Sequence, residues 1–285
     1  MKTRDLEAFR TWEDAWALVR RRPGAVLVLA TLGAFPSSVL SVVWSINPSA
    51  AEHPFAYPLN WLSIVFFAYF MTHSISELSR RGEGDVRAIA ASSSIRRFSS
   101  FAATRLLMTV LLVPFALIFA VPVWIVLAVS PADALNATMP AALVAPLVGI
   151  MLGFLFYGLA APANVVERLG PATALRRSWR VTEGRRKDFA ILCLGPFLLT
   201  GLFFAIREGL SGRSLNERIE APAAAGLVSR PAGTLDPLSV SDALLQGLWT
   251  YGEGMLSSAV WAALLTTYFI RLRSSEPDLH EKQLR

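Results

Sequence analysis

Long uncharged apolar runs alternate along this chain with short arginine-rich stretches. Five runs, at residues 24–46, 59–78, 106–129, 140–163 and 189–206, approach or exceed the roughly 20 apolar residues that carry a helix across a bilayer's hydrocarbon core. Four hold no Asp, Glu, Lys, Arg or His; the second carries His73 and Glu77 near its basic end. A sixth region, 238–270, is too long for one ordinary span at about 1.5 Å of rise per residue. The glycines of Tyr251-Gly252-Glu253-Gly254 predict a break there, with 238–250 tilted or interfacial and the crossing at 254–270. The pattern predicts an all-α fold: one integral membrane domain over residues 1–285, built as a polytopic bundle of six transmembrane helices.

The basic residues orient that bundle. Segments 1–23, 79–105, 167–188 and 271–285 hold 6, 6, 7 and 4 Lys/Arg, against none in 47–58 and 130–139. The remaining four lie in the one long outer loop, 207–237, among four acids. Positive residues accumulate on the cytoplasmic side, so both termini are expected in the cytoplasm. Acids and two tryptophans precede the first apolar run, which exceeds a usual secretory signal, so it is expected to be an uncleaved helix. Composition agrees: the chain is 54% hydrophobic and only 17% charged, where soluble domains average about 25% charged. The formal net charge of +6 belongs to these loops and not to a soluble basic domain, which argues against nucleic acid as a partner.

Three basic segments precede the odd-numbered spans and read as amphipathic cytoplasmic helices. The first runs from Thr11, placed as an N-cap with Asp14, to Arg20, Arg21 and Arg22 before Pro23. Trp12, Trp16 and Val19 share a face of it. The second runs from Asp85 to Arg96 and Arg97, and the third from Pro171 to Gly184 with Arg176, Arg177, Trp179 and Arg180. Arg21 and Arg96 are 75 residues apart, and Arg96 and Arg176 are 80, which suggests a threefold unit of basic helix and membrane hairpin. Arginines on such helices face anionic lipid headgroups, with the tryptophans at the apolar boundary. Packing under the bundle as plain connectors is the competing reading.

Candidate chemistry is sparse. His73 and Glu77 lie one turn apart on one helical face, close to the membrane edge, where a snorkelling or structural role outweighs a proton path. Glu253, between two glycines, falls near the outer interface, within reach of Arg207 and Glu208, and reads first as a structural ion pair. Gly149 and Gly153 form a GxxxG that favours a close contact within the chain over a dimer seam. Cys193, the single cysteine, reads as a packing residue. No phosphate-binding loop, metal-ligand cluster or nucleophile motif is present in the sequence; no cofactor, metal or catalytic residue is expected.

The stretch from Asn164 to Gly184 resembles the E-x-x-G…A-L-x-x-S-W-x-L-x-x-G signature of the membrane domain of glycerophosphoryl diester phosphodiesterases. Glu167, Gly170, Ala174, Leu175, Ser178, Trp179 and Gly184 match it, with Val181 where leucine is commoner. Tyr268-Phe269-Ile270-Arg271-Leu272-Arg273, followed by Glu276, Asp278 and Leu279, is similar to that family's closing Y-x-D-L-R-x-R…E-x-x-D-L, with Ile270 in place of the acid. The resemblance implies a stand-alone membrane module without the family's soluble hydrolase barrel. The leading expectation is a non-catalytic bacterial inner-membrane protein that organises anionic lipid, or an unidentified protein partner, at the cytoplasmic face. The alternative is a transporter or lipid-handling protein, with a cavity lined by Glu253, His73 or Glu77. A membrane-embedded lipid enzyme ranks third.

Overall fold

The computed structural model describes residues 6–47, 54–81, 86–129, 132–210 and 240–275, and all the regular structure among them is α-helical. In chain order the helices are α1 (Leu6–Arg21), α2 (Pro23–Ile46), α3 (Ala56–Arg81), α4 (Val86–Ala91) and α5 (Ile95–Val129). They continue with α6 (Ala132–Tyr157), α7 (Ala160–Val166), α8 (Pro171–Thr182), α9 (Arg186–Leu210) and α10 (Val240–Ser275).

Among the described residues, three stretches are long and apolar enough to cross a membrane: Pro23–Trp44, Ile95–Val126 and Val144–Val166. Only 17% of the most apolar part of the second is buried within the protein. Its Val110, Leu117, Ile118, Trp124 and Ile125 stand exposed, as do Leu32, Phe35 and Val43 on α2. Apolar patches of that extent are matched to hydrocarbon and not to water. The expected runs 24–46, 59–78, 106–129 and 189–206 each lie within one helix, and the crossing expected at 254–270 lies within α10; the run 140–163 does not hold as one helix, because Gly158 and Leu159 separate α6 from α7. The second, inside α3, fails the apolar test for a physical reason: Thr72, His73, Ser74, Ser76 and Glu77 occupy its C-terminal half, and all are buried.

The chain forms two compact units. The first comprises Met1–Leu18, Thr72–Leu192 and Ala263–Arg285. Here α5 packs along α6, and α8 packs against α5, α6 and α7. Gly149 makes the α5–α6 approach possible: a Cβ there would collide with the Phe115 carbonyl oxygen, and one at Gly153 would come within 2.5 Å of Leu112 Cδ2. The GxxxG is therefore a crossing within the chain. Phe154, Phe189 and Tyr268 stack in sequence at 6.0 and 5.7 Å, and Arg271 donates to Asp14 at 2.9 Å. The lone thiol, Cys193, is buried in the second unit.

The second unit comprises Val19–Met71 and Cys193–Ala262. Small residues on α2 (Ala30, Gly33, Ala34) receive large ones from α3, with Phe67 and Met71 buried against Ala262. Phe197 meets Trp261 edge-on at 4.9 Å.

Several boundaries differ from the sequence expectation. Thr11 is not a helix cap: α1 already runs from Leu6, and Thr11 is fully buried inside it. Pro23 does end α1, by forcing Arg22 out of helical geometry (φ −145°, ψ 59°) while starting α2 at its first position. The second basic helix is split. Ser92 and Ser93 turn their hydroxyls back onto the carbonyls of Ile89 and Ala90 at 2.7 Å each, which ends α4. The Arg97 N–H then bonds Ser94 Oγ at 3.3 Å, so Arg96 and Arg97 stand in the first turn of α5. Asp85 lies outside the described residues. The expected break at 251–254 is absent, since α10 runs unbroken from Val240 to Ser275. Glycine inside a helix costs only about 1 kcal/mol and, unlike proline, removes no hydrogen bond. The loop expected at 207–237 begins later than expected, since α9 continues to Leu210, and its remainder lies outside the described residues.

Replacing Gly149 with alanine pushes a methyl group onto the α5 backbone, and the expected destabilisation is about 1–3 kcal/mol. Gly24, with open space around it, should accept alanine without loss. Thermal unfolding in detergent checks the pair; equal melting temperatures for both variants would contradict the close crossing.

Candidate functional site

The junction between α6 and α7 organises the first unit's polar chemistry. The helix breaks at Gly158 and Leu159, inside the third apolar stretch, which frees backbone groups where no water replaces their partners. Ser178 of α8 repairs the break. Its buried hydroxyl donates to the Phe156 carbonyl at 2.9 Å and accepts from the Leu159 N–H at 3.2 Å. Asn164 Nδ2 donates to the Leu169 carbonyl at 2.7 Å and to Ser100 Oγ at 3.0 Å, tying the following loop to α5. Arg168 turns the chain at φ 58°. Gly170 enters α8 extended (φ −69°, ψ 163°), Pro171 begins the helix, and Gly184 follows its end at φ +74°.

Glu167 anchors the second tie. Arg177 Nε donates to its Oε2 at 3.0 Å and Arg177 Nη2 to its Oε1 at 3.1 Å, a bidentate pair. Arg273 of α10 adds an ion pair to Oε1 at 3.7 Å. The matched residues Glu167, Gly170, Leu175, Ser178, Trp179 and Gly184 therefore converge on one junction, with Leu175 packed against Met108 and Ala160.

An aromatic face lies over the same junction. Trp179 stacks on Phe156 at 4.7 Å and leans on Tyr157 at 5.9 Å. The Arg186 guanidinium sits 4.1 Å from the Phe156 ring centroid and 5.1 Å from that of Trp179. Beside this face an open groove of about 460 Å³ runs between α5 and α8. Leu107, Val110 and Leu111 line one side, and Tyr157, Leu175 and Trp179 the other. Arg176 and Arg180 also line it; both are exposed, and neither has an ion pair among the described residues.

The structure divides the sequence candidates. Of the three arginines on α8, Arg177 is committed to Glu167, while Arg176 and Arg180 stand free of any carboxylate among the described residues. Arg20 and Arg21 are exposed in the last turn of α1, and Arg96 is exposed while Arg97 is half-buried. His73 Nε2 lies 2.9 Å from Ser92 Oγ. The Ser92 hydroxyl also bonds the Ile89 carbonyl at 2.7 Å. Glu77 pairs with Arg80 at 3.6 Å. The histidine contact ties α3 to α4. The side chains of Glu253, Arg207 and Glu208 lie outside the described residues. No three His, Cys, Asp or Glu side chains gather as metal ligands among the described residues. Sequence reasoning missed Phe156, Asn164 and Arg186. The spacing of Trp179 and Arg186 was visible, but not the turn that folds one over the other.

No family model, no curated protein and no solved structure matches the chain.

Ser178→Ala leaves the Leu159 N–H and the Phe156 carbonyl buried without their partner. The expected cost is on the order of 1–3 kcal/mol. Ser99→Ala, where an exposed hydroxyl bonds the Arg96 carbonyl of its own helix, should stay within about 0.5 kcal/mol of wild type. Detergent unfolding midpoints compare them, and a silent Ser178→Ala would show that the hydroxyl bridge carries no stability.

Proposed function

We propose that this chain is a non-catalytic, six-span membrane protein that holds anionic lipid at the cytoplasmic face through its basic helices. The observation that carries this reading is the exposed pair Arg176 and Arg180, without acidic partners among the described residues, beside Trp179 and an apolar groove. Arginine matches phosphate in geometry as well as charge, and tryptophan belongs at the level where headgroups meet hydrocarbon. On α1, Phe9 and Trp16 are 63% and 56% exposed on a helix that buries Ala8, Thr11 and Ala15. That face suits insertion between headgroups. Arg96 and Arg97 add positive charge to the first turn of α5, where it opposes the helix dipole; anionic headgroups at that level would offset it. The distribution of Lys/Arg supports cytoplasmic termini in a plasma membrane, bacterial in our reading. We also read the chain as a stand-alone member of the glycerophosphoryl diester phosphodiesterase membrane-domain family. What supports that kinship is the meeting of its two motif stretches where Arg273 reaches Glu167.

Lipid titration in neutral detergent tests the function. Phosphatidylglycerol should raise the melting temperature of the full chain while phosphatidylcholine does little, because a ligand bound only by the folded state stabilises it. Arg176→Gln combined with Arg180→Gln should remove most of the difference. Equal stabilisation by both lipids rules the reading out.

Orientation has its own test. Cysteines placed at Ser274 and Thr173 should react with a membrane-impermeant maleimide only after the cytoplasmic side is opened, and a cysteine at Ser214 should react in intact cells. Labelling of position 274 from outside contradicts the proposed topology.

A further inference from the structure

We propose, resting on the reading that α8 holds anionic lipid, that the groove between α5 and α8 seats one acyl chain of a single anionic phospholipid, with its phosphate held by Arg176 and Arg180. The groove's volume of about 460 Å³ falls within the roughly 300–1,000 Å³ typical of small-molecule sites. Its lining is almost wholly apolar, and the polar groups at its edge are arginines. That combination matches a ligand with one hydrocarbon part and one anionic part.

Position selects a lipid over a soluble ligand. Leu107, Val110 and Leu111 fall at i, i+3 and i+4, which forms a stripe along the α5 axis. Arg105 is the last charged residue of α5 before this stripe, and the chain beyond it is uncharged through Val129. The groove therefore opens where the polar end of the helix gives way to hydrocarbon. Arg176 and Arg180, one turn apart on α8, share a face at that level. Arg186 adds a third guanidinium, seated on the rings of Phe156 and Trp179 and forming no ion pair among the described residues. The charge around Trp179 is net positive: Arg176, Arg180 and Arg186 are set against Glu183, whose N–H bonds the Trp179 carbonyl, while Glu167 is taken by Arg177 and Arg273.

The test uses the full chain in phosphatidylcholine nanodiscs containing phosphatidylglycerol with a photoreactive acyl chain. Adducts should concentrate on the peptide bearing Leu107 and Leu111 and on the α8 peptide. Unlabelled phosphatidylglycerol should compete for them, and phosphatidylcholine should not. Leu111 on α5 and Ala172, which lines the groove from α8, are exposed positions on opposite walls. Leu111→Trp and Ala172→Trp fill the groove, and each should lower adduct yield about tenfold, equivalent to roughly 1.4 kcal/mol. If Leu111→Trp fails to fold, Ala172→Trp carries the test. Unchanged adduct yield in the folded filling variants overturns the groove, even where the two arginine substitutions still abolish the lipid preference; the broader reading then stands without it. Loss of any anionic preference in the wild type overturns both. Equal labelling by a phosphatidylcholine probe overturns the phosphate contact. A wild-type dimer that becomes monomeric on filling the groove, without lipid adducts there, assigns it to a second copy of the chain and also overturns the proposal.

Discussion

A helix that breaks inside apolar surroundings must find new partners for the backbone groups it releases, and the first unit is arranged around one such repair. Ser178 spans the α6–α7 break with one bond accepted and one donated. Because that hydroxyl belongs to α8, the repair works only while α8 is seated. Everything else that seats α8 therefore contributes to the junction: Leu175 in the apolar cluster, Trp179 on Phe156, and Arg177 clamped to Glu167. The 12-residue helix acts as a splint, and Gly170 and Gly184 give it a defined beginning and end.

Polar groups are buried in a different way in α3. Its C-terminal half carries Thr72, His73, Ser74, Ser76 and Glu77, all enclosed by protein, whereas α5 presents leucine, isoleucine and valine outward. Polar side chains within membrane bundles are tolerated where protein surrounds them. The contrast between the two helices gives a physical reason for their different hydropathy: one is solvated mainly by the protein, the other by hydrocarbon.

The same contrast sets what could be read from sequence. The helices of α2, α5 and α6 were legible because their environment demands uninterrupted apolar residues, and the His73–Glu77 pair because charge is rare in such runs. Boundaries were less legible. Glycine at 252 suggested a break that the helix absorbs, while three serines at 92–94 made a break that composition alone did not suggest. A serine's effect depends on whether its hydroxyl turns back to the backbone, and this is decided by local geometry. The α8 arginines show the limit most clearly. Arg176 and Arg177 are chemically identical neighbours, yet successive helical residues point about 100° apart, so one meets Glu167 while the other lines the groove. Their different roles come from where α8 docks.

Three side chains fasten the junction: Glu167 through its two arginines, Ser178 through its backbone bonds, Trp179 through its stacking. Arg176, Arg180, Leu107 and Leu111 line the groove and make none of these contacts. A chain can therefore keep the junction while changing the charge and shape of the groove beside it. The junction residues brace the broken helix, and the choice of lipid in the proposed site would rest on Arg176, Arg180, Leu107 and Leu111, which the brace does not use.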